Sequence, residues 1–363
     1  MSRVANNQTI EANPLFEDAH WRDQLYCGDC LTVPDVIPNE SVDLIYIDPP
    51  FYSQRYYEVI WGESAERFAF EDRWSGGINH YIAYLIERIR KAYLKMKETG
   101  SFYVHLDWHI NHYMKVELDK IFGYGNFQAE IIWRRTSARV DTVGFGHVTD
   151  SILMYSKSAK YTWNTQYRAY SEEHLRKSYR HVDPATGKRF MLADLTGAGV
   201  RRGETGKKWK GINQTEWGRH WIRPPSELDE LDKKDLIYWP ERAGMPRLKK
   251  FLSDRGQPVD NIWDDIPPVT SQSSEKVGYP TQKPLALLER IVSASSNPGG
   301  LVMDAFCGCG TTLAAAQKLG RRWIGIDVSP SAIRVVEQRL RKLGATRYDV
   351  HGMVVSTAEL RAL

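Results

Sequence analysis

The chain predicts a doubly wound α/β sheet interrupted by a separate lobe, on three observations. Short runs rich in β-branched and aromatic residues alternate with stretches of helical spacing, the pattern of parallel strands crossed by helices. The alternation fades between about residues 160 and 275, where Trp and basic residues replace periodic apolar ones. It resumes at Pro284 as helix, strand, Gly-rich turn, helix, strand, helix. With 363 residues and 42% hydrophobic content, the chain can build one large core and a second lobe.

Taken in order, residues 1–20 show no periodicity and read as an arm. Leu25-Tyr26-Cys27 is a short strand closed by Gly28-Asp29-Cys30. Val42 to Ile47 is a second, and Pro49 and Pro50 end it because neither can donate to a ladder. Tyr52 to Asn79 reads as a long aromatic and charged loop, a length usually kept for function. Ile82, Leu85, Ile86, Ile89, Tyr93 and Met96 mark a helix over 78–96, stopped by Gly100. Strands at 101–106, 129–133 and 151–155 and a helix at 111–122 complete a first half, 21–158. The lobe, 159–275, carries its densest basic patch at Arg201, Arg202, Lys207, Lys208 and Lys210, among glycines; this suits either nucleic-acid contact or a solvated insertion. The last half, 276–345, predicts helices at 285–293, 311–319 and 331–343 and strands at 301–304 and 323–326, followed by a tail, 346–363.

Two stretches carry chemistry. Asp48-Pro49-Pro50-Phe51 places one carboxylate beside two rigid carbonyl acceptors, those of Asp48 and Pro49, because proline fixes φ and removes the competing N–H. That set can accept both hydrogens of an amino group. A bare Asp-Pro-Pro also fits a plain strand end, so the rest of the chain has to decide. Asp304-Ala305-Phe306-Cys307-Gly308-Cys309-Gly310-Thr311-Thr312 sits where a strand becomes a helix, and Asp327 ends the next strand, where an acid grips ribose hydroxyls. Leu313 stands where a dinucleotide site has its third glycine, and no Gly-Lys-Ser/Thr follows. A nucleoside cofactor without phosphates fits better, and S-adenosylmethionine is the obvious one.

With Thr281-Gln282-Lys283-Pro284 and Gly325-Ile326-Asp327 between and after them, these motifs resemble the β group of amino-methylating DNA methyltransferases. In that group the catalytic motif precedes the cofactor motif, a circularly permuted order, with a target-recognition region between. The likeness covers about 24–157 and 276–343. It implies a Rossmann-like, seven-stranded, mostly parallel sheet in which the C-terminal βαβ unit supplies the first two strands. By the same resemblance Asp48, Pro49, Pro50 and Phe51 form the catalytic motif, with Phe51 stacking on a flipped base. Asp48 again, with Asp304, Phe306, Gly308, Gly310, Thr311, Thr312 and Asp327, shapes the cofactor site. Asp29 and Cys30 border its adenine, and Thr281 and Lys283 approach its methionine carboxylate. Many members carry Tyr at the Phe51 position; Phe keeps the ring and loses the hydroxyl. Asp48 favours adenine-N6 as the target, since cytosine-N4 members commonly carry Ser there. Duplex DNA is the implied partner, with a restriction endonuclease and a homodimer as further implications.

Other classes fare worse. No apolar run approaches the roughly 20 residues that span a bilayer, the N-terminus has no signal-peptide core, and four cysteines make no disulfide framework; a cytoplasmic protein is expected. The formal charge of +4 permits a polyanion without requiring one. Cys27-x-x-Cys30 with Cys307-x-Cys309 could suggest zinc, but Cys-x-Cys is atypical spacing, and no metal is expected. His105-x-Asp107-Trp108-His109 lacks a nucleophile and reads as a strand-end cluster. Methylation of RNA or a protein amide uses similar motifs, and a non-catalytic DNA-binding module is the third class; the motif order and the Trp- and Arg-rich insertion favour DNA and catalysis.

Overall fold

A computed structural model of the chain describes residues 22–52, 56–61, 66–71, 76–137, 144–241, 244–279 and 281–352. The arm at 1–20 and most of the tail therefore lie outside the described residues. The chain divides into two compact units, one made of 1–166 and 260–363, the other of Tyr167–Val259. The inserted unit is thus narrower than the 159–275 read from composition, and Trp263 is buried in the first unit, against Arg290.

The first unit is built on one sheet. Its strands are β1 (Gln24–Cys27), β2 (Val42–Ile47), β3 (Met96–Leu106), β4 (Phe127–Arg134), β5 (Thr149–Ser156), β6 (Ile262–Trp263), β7 (Leu301–Asp304), β8 (Arg322–Asp327) and β9 (Asp349–His351). Their order is β6-β4-β5-β3-β2-β7-β8-β1-β9, and only the pairings of β5 are antiparallel. The expected count of seven is corrected to nine among the described residues. The two additions, β6 and β9, lie at the edges and are too short to leave a period-2 signal in sequence. A second correction concerns the presumed loop after the Pro-Pro turn: residues 56–61 and 66–71 pair antiparallel in register.

Helices cover both faces. The helices are α1 (Gly77–Lys95), α2 (Asn111–Phe122), α3 (Leu285–Ser295), α4 (Thr311–Lys318) and α5 (Pro330–Lys342). Ile45, Ile47, Phe102 and Val104 share one buried cluster with Tyr81, Leu85 and Ile89 of α1 and Met114 and Leu118 of α2. Each fully buried side chain of this size contributes about 1.5–3 kcal/mol. Tyr103, pointing to the other face, has its hydroxyl 2.7 Å from Ser295 Oγ on α3. No described helix is long and apolar enough to cross a membrane.

One register matters most. β7 pairs with β2 so that Asp304 lies opposite Tyr46, and β8 pairs with β1 so that Asp327 lies opposite Cys27. All four strands are parallel here, so their C-terminal ends form one edge. Two motifs more than 250 residues apart in sequence thereby meet where open α/β sheets bind ligands.

The second unit has its own small core of Leu195, Trp209, Trp221, Leu228 and Ile237. A four-stranded antiparallel sheet (237–238, 247–251, 189–194, 181–182) and a ribbon of 196–198 with 219–221 frame it. Trp209 and Trp221 meet edge to face at 5.5 Å, and Trp209 Nε1 donates to Asp229 at 2.8 Å.

Candidate active site

β2 runs into Asp48 as a buried strand, and Pro49 and Pro50 break it. The Pro50 carbonyl accepts from the Tyr81 hydroxyl on α1, which pins the turn from the helix side. Tyr52, one residue past the motif, holds φ at 58°. A non-glycine residue in that left-handed region costs on the order of 1 kcal/mol or more, so the packing of Tyr52 on Tyr81, centroids 5.7 Å apart, holds a strained turn in place.

The Gly-rich turn lies across the neighbouring strand ends. Gly308 and Gly310 both take positive φ, 49° and 71°. A Cβ on Gly310 would stand 2.8 Å from Val336 of α5, so this position needs glycine for space as well as for conformation. Asp327 closes the turn: its two oxygens accept the Gly308 N–H at 2.8 Å and the Ser329 N–H at 2.9 Å. Asp304 is almost fully buried and accepts from Thr312 Oγ1 and, at 3.0 Å, from the Phe306 N–H. Burial first, and the nearby Asp48 and Asp327 after it, push its carboxyl up to about 7 against those hydrogen bonds. Burial likewise raises the Asp327 carboxyl.

A third segment reaches the same edge from before α3. Gln282 accepts from the Val277 N–H at 2.8 Å and donates to the Glu275 carbonyl at 2.7 Å, while Glu275 caps Leu285 N–H at 2.8 Å. This brace turns Lys283 inward. Its buried ammonium pairs with Asp48 and lies 4.9 Å from the centre of the Phe51 ring. The same cation therefore reaches both the carboxylate and the ring of the Asp-Pro-Pro-Phe stretch.

These parts enclose a cavity lined by Cys30, Asp48, Pro50, Thr281, Lys283, Asp304, Phe306, Gly308, Thr311, Thr312 and Asp327 among the residues singled out from sequence. Two expected cofactor residues are not in the lining. Gly310 packs on α5, as above. Asp29 is gripped by Arg88 of α1, whose Nε and Nη2 lie 3.0 and 2.6 Å from its carboxylate, and it also accepts the Leu31 N–H at 2.8 Å. Asp29 thus shapes the loop that presents Cys30, whose thiol burial pushes up to about 12. Pro49 is buried, and Phe51 is half-buried against the Lys283 ammonium.

Sequence reasoning missed Tyr46, Tyr84, Tyr279 and Leu288 in the lining. Tyr46 alternates with Asp48 along β2 and so shares its face, a signal that period-2 reading could have supplied. Tyr279 packs against the Gly308 turn from a segment without periodic pattern. Cys307 and Cys309 are buried thiols whose protons burial holds in place, and among the described residues no group of three or more His, Cys, Asp or Glu is arranged to hold a metal. In the His105-to-His109 cluster, His109 Nδ1 lies 2.8 Å from Asp107, while His105 is fully buried. In the second unit Arg201, Arg202 and Lys208 are exposed, whereas Lys207 pairs with Glu204 and Lys210 with Asp232.

A parallel sheet that brings an Asp-Pro-Pro-Phe strand end and a Gly-rich nucleoside turn to one cavity defines an amino-methyltransferase-like class of site. The chain belongs to the N6/N4 DNA methylase family, whose model matches residues 42–338. It is 36% identical over 306 residues to the type II methyltransferase M.EcaI of Enterobacter cloacae, covering 84% of this chain and 66% of that one. It is 26% identical over 340 residues to the type III restriction-modification enzyme StyLTI Mod subunit of Salmonella typhimurium, covering 85% and 52%. The chain therefore spans between half and two thirds of the length of these two relatives. The DNA adenine methyltransferase YhdJ of Escherichia coli is 26% identical over 315 residues, covering 86% and 81%. Among solved structures, the PvuII DNA methyltransferase (cytosine-N4-specific) aligns with a TM-score of 0.48 at 15% identity, covering 90% of this chain and 94% of that one.

Proposed function

We propose that this protein transfers a methyl group from S-adenosylmethionine to the exocyclic N6 of an adenine flipped out of duplex DNA. The observation that carries the reading is the meeting of Asp48-Pro49-Pro50-Phe51 with the Gly308 turn and Asp327 at one cavity. The cavity chemistry suits the donor. Asp327 would accept from its ribose hydroxyls, Asp304 would face its ammonium, Cys30 and Phe306 would border its adenine, and Lys283 with Thr281 would meet its carboxylate. Bound there, the donor supplies an electrophilic methyl on a sulfonium.

The chain's own residues do the rest. Asp48 and the Pro49 carbonyl accept the two amino hydrogens and aim the nitrogen lone pair at the methyl carbon. The N–C bond forms as the C–S bond breaks, sulfur keeps that electron pair, and the nitrogen gives up one proton toward Asp48. The positive charge on sulfur is lost as the nitrogen becomes transiently positive, so placing one carboxylate at that nitrogen stabilises the transition state. A base within a duplex cannot reach this edge, so it is flipped and stacked on Phe51. Lys283 has to leave Asp48 first, and a carboxylate on the donor gives it another anion.

Adenine is favoured by Asp48 and by the name of the YhdJ relative. Restriction linkage, consistent with the first two relatives, and a homodimer belong to the same proposal. The test is modification-aware sequencing of DNA from cells that express the protein. N6-methyladenine at one recurring sequence is the expected result. N4-methylcytosine would transfer the mechanism to the other base, and unmodified DNA despite donor binding would overturn the reading.

A further inference from the structure

The Phe51 ring does not stand alone. It stacks on the imidazole of His105, centroids 5.8 Å apart and planes 25° from parallel. His105 has no exposed surface, and both of its nitrogens are engaged. Nδ1 lies 2.9 Å from the Tyr46 hydroxyl, and Nε2 lies 3.1 Å from Asp150 Oδ2, whose side chain is also fully buried. Trp133 meets the imidazole edge-on at 5.7 Å. Three neighbouring strands supply this chain: Tyr46 from β2, His105 from β3, Asp150 from β5. Ladder registers hold them in line, since His105 pairs with Ile152 and Tyr46 with Tyr103.

Asp150 Oδ2 accepts from Nε2–H, and Nδ1 pairs with the Tyr46 hydroxyl. Burial alone would raise the Asp150 carboxyl; the hydrogen bond and charge of His105, with Lys283 and Arg135 behind, outweigh it and hold the group below its usual range. An imidazole bonded at both ends cannot turn over without stranding two buried polar groups, at a cost of about 1–3 kcal/mol each. A phenylalanine ring by itself has a broad χ2 well and no polar handle with which to fix its plane. The rigid imidazole gives it one.

We infer that His105 is a positioning residue for methyl transfer. Braced by Tyr46 and Asp150, it fixes the plane of Phe51 and hence the plane in which the flipped base is presented to the methyl donor. This rests on the proposed function, and on Phe51 being the stacking platform. The plane matters because the amino lone pair stands nearly perpendicular to the base, so a tilt of the platform misdirects the nitrogen. Misplacements of about 1 Å cost on the order of a hundredfold in rate.

The test compares His105→Phe with His105→Leu, both in an Asp150→Asn background that removes the buried charge, and adds Tyr46→Phe by itself. Both His105 variants lose the hydrogen bonds, and only Phe retains a ring for Phe51 to stack on. For each, kcat, donor Kd, melting temperature and the fluorescence of 2-aminopurine at the methylated position are measured. We expect the Leu variant to lose kcat by about a hundredfold and the Phe variant by about tenfold. The 2-aminopurine signal should change between the two, with donor Kd held within about twofold in both. Tyr46→Phe, which removes a single hydroxyl, should lower kcat several-fold and alter the 2-aminopurine signal, with a melting temperature close to the parent's. Equal losses in the Leu and Phe variants, or losses that track melting temperature, would overturn the inference and leave His105 a purely structural residue. If neither His105 variant folds, Tyr46→Phe decides: parental kcat and fluorescence in that variant refute the inference. If the parent itself transfers no methyl group to DNA, the proposed function has failed, which is a separate outcome.

Discussion

At the residue scale the site is governed by one cation among three carboxylates. Lys283 neutralises Asp48, while Asp304 and Asp327 carry raised carboxyls, and among the described residues no other lysine or arginine lines the cavity. Replacing Asp48 by Ala should abolish methyl transfer while donor binding persists; a titration calorimetry and activity pair checks this, and retained activity would sink the assignment. Asp304 gives a pH dependence of defined sign. Its carboxyl sits at about 7 in the folded protein, above the ordinary 3.8, so between those values the folded state holds a proton that the unfolded chain has released. Its contribution to stability is therefore complete below 3.8 and is lost as pH rises through 7. A ligand ammonium facing Asp304 favours the ionised form. Donor affinity should then rise from pH 6 to 8, with proton release at pH 6, read as a buffer-dependent binding enthalpy. Lys283→Gln should weaken donor binding by about tenfold, the scale of one lost charge-assisted contact.

At the element scale, strand ends and turns do the positioning. The helix spans at 78–96 and 111–122 and the strands at 301–304 and 323–326 were legible to within about two residues, because each carries a full apolar period. The ribbon of 56–61 with 66–71 and the edge strands β6 and β9 were not: the first was hidden under aromatic and charged composition, the others are only two and three residues long. Among site residues, Asp48, Asp304 and Asp327 were found because each ends a recognisable strand. Asp29 was placed on the cavity by resemblance, and the tertiary structure adds its partner, Arg88 of α1. The Gly-rich turn carries a prediction of its own. Gly310→Ala combines a left-handed φ of 71° with a 2.8 Å approach to Val336, and should cost about 1–3 kcal/mol in denaturant unfolding while weakening donor binding.

On the scale of the whole molecule, a folded lobe of residues 167–259 interrupts a sheet that closes without it. The lobe has a tryptophan core of its own, so its composition reflects packing as well as any surface role: Trp209, framed by Lys208 and Lys210, is buried. Its cations divide by partner. Lys207 and Lys210 are neutralised within the lobe, while Arg201, Arg202 and Lys208 are exposed. If the lobe meets the DNA backbone, changing these last three to Gln should lower the slope of log K against log salt by about 3, at roughly 0.9 per phosphate contact. Changing Lys207 and Lys210 should shift it by less, because each already has a carboxylate partner. An unchanged slope in the triple variant would move the DNA contact elsewhere.

By itself the sequence determined the class of fold, the order of the motifs and the residues at the strand ends, because periodicity, proline breaks and glycine turns are local properties of the chain. Tertiary structure alone decided which groups meet. The parallel pairing of β7 with β2 sets Asp304 beside Tyr46, the Gln282 brace turns Lys283 onto Asp48, and a three-strand register stacks His105 under Phe51. Those contacts join residues far apart in sequence, and their geometry follows from ladder register and packing, which no local pattern encodes.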